Sequence, residues 1–302
     1  MSAAPVIPWP GRHSLVSEPH EEPRVSMPRI PFDQLPADVR EAVTDKTGPV
    51  HQAVTMTGGM NSGVASVLET GSGSVFVKGI ASDHPQVAAQ RREAEIAPHL
   101  PTSCPRLFWH LEVGGWSLLG YEVLSGRHAD YSPGSADLVL VEAALTELQQ
   151  VTAPADIEIK DAVDRWADYA PPGTLQHFSG NTLLHTDFAP HNVLIADGRA
   201  RLIDWAWPTR GAAWIDPGNL ALRLMDAGHP AEDAIVFAGR FPSWRNTDPG
   251  ALTAFGSASA ALWREIAEED PTPWKQGMAK RAAAFRLVLL RGSTPAVGST
   301  SS

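Results

Sequence analysis

Between Leu184 and Trp205 the chain reads His185-Thr186-Asp187-Phe188-Ala189-Pro190-His191-Asn192, then Val193-Leu194-Ile195-Ala196, Asp197-Gly198, a second strand-like run from Arg199 to Ile203, and Asp204. Asp-Gly between two such runs is a strong local instruction for a tight antiparallel hairpin, because both turn positions need φ > 0, which Asp tolerates and Gly favours. A two-residue loop at 197–198 pairs residue 192 with 203 and residue 191 with 204. Asn192 and Asp204 then leave the hairpin together at its open end, and Asp187 lies on the loop that enters it. An amide oxygen and a carboxylate within reach of one cation are hard donors suited to Mg²⁺, whose remaining positions go to water and phosphate oxygens.

The rest of the chain divides near residue 120. Three strand-like runs, at 51–57, 63–70 and 74–80, are separated by Gly58-Gly59-Met60-Asn61-Ser62 and Gly71-Ser72-Gly73, short links that imply an antiparallel meander. A helix is expected over 84–97 with Asp83 as its N-cap, followed by a further strand-like run from Trp116 to Leu124. Helical periodicity dominates beyond, with a stripe of Leu138, Val141, Leu145 and Leu148 and further stretches at 160–170, 217–227, 250–269 and 275–291. The expected architecture is α+β: a small antiparallel β-rich lobe over 36–119, a linker at 120–126, and a larger helical lobe over 127–291, with a cleft between them. Residues 1–35, with eight prolines in the first 36 positions, and the Gly/Ser/Thr-rich run 292–302 read as disordered tails.

His185-x-Asp187-x4-Asn192, a hairpin and then Ile203-Asp204 resembles the catalytic core of the aminoglycoside phosphotransferase family, which has the protein-kinase-like fold. The departure is Thr186, where that family usually has Gly. The resemblance implies that Asp187 orients or deprotonates an acceptor hydroxyl and that Asn192 and Asp204 hold Mg²⁺ on the phosphates of ATP or GTP. It implies a phosphate-pairing lysine on the third strand and a helix glutamate holding it. Val75-Phe76-Val77-Lys78 places Lys78 there, and Glu93 shares an i, i+3/i+4 row with Gln86, Ala89, Ile96 and Leu100, whereas Glu95 lies with Arg91, Arg92 and His99. Gly58, Gly59 and Gly63 belong to a loop that would cover the phosphates, and Glu122 and Val123 to a hinge whose backbone would read the base. Asp216-Pro217 is expected to open a helix, with Asp as cap and Pro at N1.

Composition limits the partners. The 302 residues carry a formal net charge of −10, which argues against general nucleic-acid binding and suits a cationic or small neutral acceptor. No apolar stretch approaches the length of a membrane span, the first thirty residues lack the apolar core of a secretory signal, and Cys104 has no partner for a disulfide, so the cytoplasm is the expected address. The expected activity is transfer of a nucleotide γ-phosphate to a hydroxyl of an aminoglycoside-like antibiotic or another small compound. Competing readings are a metal hydrolase built on His185, Asp187, His191, Asp204 and Asp216, and a non-catalytic nucleotide-binding relative. His185 is read as a brace for the loop, and Trp205, Trp207 and Trp214 as packing residues. Oligomeric state has no signature in the sequence.

Overall fold

The computed structural model describes residues 29–56 and 62–292. A short 3-10 turn, Phe32–Gln34, leads into α1 (Ala37–Thr47), which turns Val39 and Val43 inward one turn apart and is stopped by Gly48 at φ 75°. Five strands follow: β1 (Val50–Thr55), β2 (Val64–Thr70), β3 (Gly73–Ala81), and, after α2 (Val87–Ile96), β4 (Leu107–Val113) and β5 (Trp116–Tyr121). They form one antiparallel sheet in the order β1-β2-β3-β5-β4. Strand alternation gives β3 two faces. Val75 and Val77 pack with Val39, Val43, Leu68 and Leu118 under α1, whereas Phe76 packs on the opposite face near Ala94 of α2, Leu119 and Tyr121.

The second lobe begins with β6 (Gly126–His128) and α3 (Asp137–Leu148), followed by β7 (Lys160–Asp161), α4 (Ala162–Trp166) and β8 (Thr182–Leu184). Next come the hairpin β9 (Val193–Ala196) and β10 (Arg199–Leu202), and β11 (Thr209–Gly211). Helices α5 (Ile215–Asp226), α6 (Ala231–Ala238), α7 (Pro242–Arg245), α8 (Pro249–Glu269) and α9 (Pro273–Gly292) complete it. Its strands form two three-stranded sheets, β10-β9-β6 and β7-β11-β8. A single large core unites the helices, and Ile96 at the end of α2 belongs to it, so that helix is anchored on both lobes. Among the described residues no helix is long and apolar enough to cross a membrane.

The two-lobed α+β architecture agrees with the expectation from sequence, with particular corrections. Residues 29–35 are not a tail: Phe32 and Leu35 are buried at 5% and 2% exposure in the β-lobe core, and the Ile30 amide donates to the Gly63 carbonyl at 2.8 Å. Two apolar side chains spaced by a 3-10 turn suffice to anchor this Pro-rich stretch. Helix α2 starts at Val87 rather than at 84, without an Asp83 cap, because His84 and Pro85 form a turn in which the Gln86 amide is taken by His84 Nδ1. The stretch 160–170 is helical only over α4, since Lys160 and Asp161 pair with β11. Strand β4 and helices α1, α6 and α7 have no counterpart in the expected elements. The expected 292–302 tail lies outside the described residues apart from Gly292, which ends α9.

Truncating Phe32 to Ala should lower the unfolding free energy by about 3–5 kcal/mol, as for other buried aromatic side chains. Chemical denaturation read by tryptophan fluorescence measures it. An unchanged midpoint would mean that this segment does not contribute to the β-lobe core.

Candidate active site

Lys78 lies on β3 opposite Ala65 of β2 and Leu119 of β5, on the face away from α1. Its ammonium Nζ donates to Glu93 Oε2 at 2.8 Å and to Asp204 Oδ1 at 3.1 Å. Burial alone would lower the pKa of Lys78, but Asp204 and Glu93 reverse that and hold it above the ordinary value; Lys78 in turn holds the Asp204 carboxyl below the usual carboxylate range. Glu93 is buried as its helical row requires, Glu95 is exposed, and the Tyr121 hydroxyl donates to Glu93 Oε1 at 3.0 Å. The glutamate is thereby oriented from both sides.

The hairpin has the register set by its turn. Ala196 pairs with Arg199 and Val193 with Leu202, Asp197 and Gly198 take φ 51° and 70°, and the Ile203 amide donates to the Asn192 carbonyl at 2.9 Å. Asn192 and Asp204 therefore leave it side by side. Asn192 Nδ2 donates to Asp187 Oδ2 at 3.0 Å, which leaves the amide oxygen of Asn192 for a cation. Together with the Asp204 carboxylate this donor set fits Mg²⁺.

His185 is 4% exposed and packed against Phe188 and Trp205. Its Nδ1 accepts from the Asp187 amide at 3.3 Å, so its Nε2 carries the proton and donates to the Ile203 carbonyl at 2.9 Å. Both nitrogens are committed to the loop, as a bracing role requires. The expected packing role of Trp205 and Trp214 also agrees with their burial. Thr186 adopts φ 67°, the left-handed region, which accounts for a glycine preference at this position and shows that Thr occupies the same backbone state.

Asp216 departs from its expected role. Helix α5 begins at Ile215, so Asp216 and Pro217 sit inside its first turn, where helix amides lack intrahelical acceptors and Pro loses nothing by having none. The Asp216 carboxylate instead accepts the amides of His185 and Thr186, each at 2.9 Å. Burial pushes its pKa up to about 6.

Arg223 of α5 contacts Asp187, a placement that sequence reading missed. Its guanidinium donates to Asp187 Oδ1 at 2.9 Å and lies 5.8 Å from the ring centres of both Trp263 and Trp274. No local motif surrounds it. The only sequence signal is a charge set between Leu220, Leu222, Leu224 and Met225 on a buried helix.

Other expected residues are less directly placed. Gly58 and Gly59 lie outside the described residues, whereas Gly63 is tied to Ile30. Glu122 donates its amide to the Arg106 carbonyl, and its carboxylate pairs with Arg201 of β10 across the cleft, so backbone contact with a base would fall to the Glu122 carbonyl and to Val123. Of the residues in the hydrolase reading, His185 and Asp216 are engaged with the loop, and among the described residues no group of three or more His, Cys, Asp or Glu side chains is arranged to hold a metal.

Solved structures share this architecture over most of their length. An aminoglycoside phosphotransferase APH(4)-Ia variant in complex with ADP and hygromycin B superposes with a TM-score of 0.51 at 15% identity, covering 85% of this chain and 99% of that one. The choline kinase LicA from Streptococcus pneumoniae gives 0.56 at 12% identity, covering 83% and 98%. A putative fructosamine-3-kinase from Haemophilus somnus 129PT gives 0.56 at 12% identity, covering 82% and 96%. The chain has the protein-kinase-like fold. No protein-family model and no curated protein matches the sequence. Lys78, Glu93 and Asp204 meet where the two lobes touch, and Asp187 and Asn192 lie on the loop that enters the hairpin ahead of Asp204.

Because Asp216 titrates near 6 when folded against an ordinary value of 3.8, its contribution to stability is complete below about pH 4 and is lost as pH rises through about 6. The melting-temperature difference between wild type and Asp216→Asn should therefore move against the wild type across that window. A difference that stays flat with pH would show that Asp216 keeps an unshifted carboxyl.

Proposed function

We propose that this chain is a small-molecule phosphotransferase that moves the γ-phosphoryl group of a nucleoside triphosphate, ATP or GTP, to a hydroxyl of a small acceptor. The observation that carries the reading is the largely buried Lys78 bridging Glu93 and Asp204, with Asp187 and Asn192 joined by a hydrogen bond on the adjoining loop. Phosphoryl transfer asks a protein mainly for positioning and charge, because the transition state forms little covalent chemistry with it. Lys78 offers a fixed positive charge for nucleotide phosphates, and a phosphate arriving there competes with Asp204 for the ammonium. Asn192 and Asp204 would hold Mg²⁺, which when bound neutralises charge on the phosphates. Asp187, held by Arg223 and Asn192, would accept a hydrogen bond from the acceptor hydroxyl and aim its oxygen. The ADP and hygromycin B carried by one structural neighbour, and the choline kinase among the others, support this reaction class.

Saturating Mg²⁺·ATP or Mg²⁺·GTP at about 100 times Kd should stabilise the protein by roughly 2.7 kcal/mol, seen as a rise in Tm of a few degrees. Asp204→Ala should abolish the metal-dependent part of that shift. Asp187→Ala should keep the shift and lose about 10²–10⁴ in kcat in a coupled ADP-release assay with a competent acceptor. Full turnover by Asp187→Ala would remove that residue from the mechanism, and no shift with either nucleotide would sink the nucleotide site.

A further inference from the structure

Behind the loop that carries Asp187 lies a partly enclosed cavity of about 40 Å³, bounded on its polar side by Arg165, Thr186, Asn219, Arg223 and Ser259 and on its apolar side by side chains that include Trp263. Arg165 Nε, Thr186 Oγ1 and Asn219 Nδ2 are buried and have no hydrogen-bond partner among the described residues. Buried polar atoms are rarely left so, and three on one cavity require a common explanation. Each of the three can donate a hydrogen bond. What fits them together must carry acceptor atoms.

Charge narrows the choice. Arg223 is compensated by Asp187 at 2.9 Å, whereas Arg165, 6% exposed, gives its Nη1 to neutral oxygens, Thr209 Oγ1 at 2.6 Å and the Trp207 carbonyl at 3.2 Å. Asp216 and Asp187 act on Arg165 only through longer-range attraction, and burial lowers its pKa to about 10, so it stays protonated at neutral pH. A buried guanidinium with no carboxylate in direct contact favours an anion beside it. One water needs roughly 10–15 Å³ of such space, so the cavity admits a group of several heavy atoms. It also adjoins the reacting position, because Thr186 precedes Asp187 and Arg223 holds Asp187.

We propose that this cavity seats a carboxylate of the acceptor, so that the phosphorylated compound is a small hydroxy acid. The hydroxyl rests on Asp187, the carboxylate oxygens accept from Arg165, Thr186 and Asn219, and the intervening carbons lie along Trp263. The proposal rests on the phosphotransferase reading for the role of the hydroxyl, but the carboxylate seat can be tested without turnover. Donors and guanidinium groups of this kind do not favour the ammonium of a cationic acceptor, which the net charge of the chain had suggested. Near the end of α8, Glu265 accepts from Tyr169 and Asp270 pairs with Lys275.

The test is calorimetric titration of the full-length protein with straight-chain hydroxy acids from glycolate to 5-hydroxypentanoate and with the amino alcohols of matching length. At least one hydroxy acid should bind about tenfold more tightly than its amino-alcohol counterpart, the increment expected for charge-assisted hydrogen bonds. Asn219→Leu, which fills the space, should weaken that binding by about tenfold or more while the Mg²⁺·ATP shift in Tm persists. If Asn219→Leu does not fold, Asn219→Asp provides the second variant: its carboxylate beside Arg165 should exclude the ligand and raise Tm. Crystals soaked in sodium bromide should show anomalous density between Arg165 and Asn219. Amino alcohols binding as tightly as hydroxy acids, hydroxy-acid binding indifferent to both variants, no binding by any hydroxy acid, or water alone in the bromide-soaked cavity would each overturn the proposal. Hydroxy-acid binding lost in the variants of a protein that shows no nucleotide shift would support the carboxylate seat and discard the phosphotransferase reading.

Discussion

A lysine ammonium with only 15% of its side chain exposed gives up its hydration, and unless carboxylates replace the lost water it gives up its proton as well. Lys78 meets this requirement with one carboxylate from each lobe. Glu93 can reach it only if α2 is docked against the sheet, and Asp204 only if the hairpin of the helical lobe closes to within hydrogen-bond distance. The position of α2, its anchoring through Ile96, and the approach of the two lobes all converge on this one charge. Removing either carboxylate would leave Lys78 with a single partner and weaken the charge contact between the lobes. The same arrangement keeps the ammonium positive where an incoming phosphate would need it.

On the opposite side of the cleft the backbone of the loop is held as firmly as its side chains. His185 ties the loop to the Ile203 carbonyl, Asp216 gathers the amides of His185 and Thr186, and Asn192 joins Asp187 to the start of the hairpin. Thr186 takes a positive φ within this frame. A strained conformation of that kind, which costs on the order of 1–3 kcal/mol, persists where surrounding contacts over-determine it. The two amides accepted by Asp216 are that residue's own and its predecessor's.

Local chemistry was readable from the sequence wherever a short stretch determined its own geometry. Asp197-Gly198 fixed the hairpin register and hence the juxtaposition of Asn192 and Asp204, and helical periodicity separated Glu93 from Glu95. Contacts between distant segments left no such trace. Arg223 meets Asp187 across 36 residues of chain, Arg165 reaches Thr209 across 44, and the carboxylate of Asp216 serves a loop 30 residues upstream rather than its own helix. Composition misread the stretch before α1 for a related reason: its prolines suggested a chain unable to bury enough surface, while Phe32 and Leu35 supplied apolar surface at the two positions where the sheet could receive it. Strand β4 alternates cleanly between half-buried and exposed residues, but its exposed positions include Phe108, which blurs the polar phase of the pattern.

The hydrogen bond from Ile30 to Gly63, with Arg29 donating to the Met56 carbonyl, ties the N-terminal segment to both strands that flank residues 57–61. The position next to Arg29 is therefore a poor place for an affinity tag or a fused reporter. Cargo attached next to Arg29 would pull on the ends of the strands on either side of residues 57–61, whereas the same cargo beyond α9 would pull on a helix end in the other lobe. An environment-sensitive dye introduced near Arg29 turns the same geometry to advantage, since it would sense events at those strand ends without touching any residue assigned to chemistry.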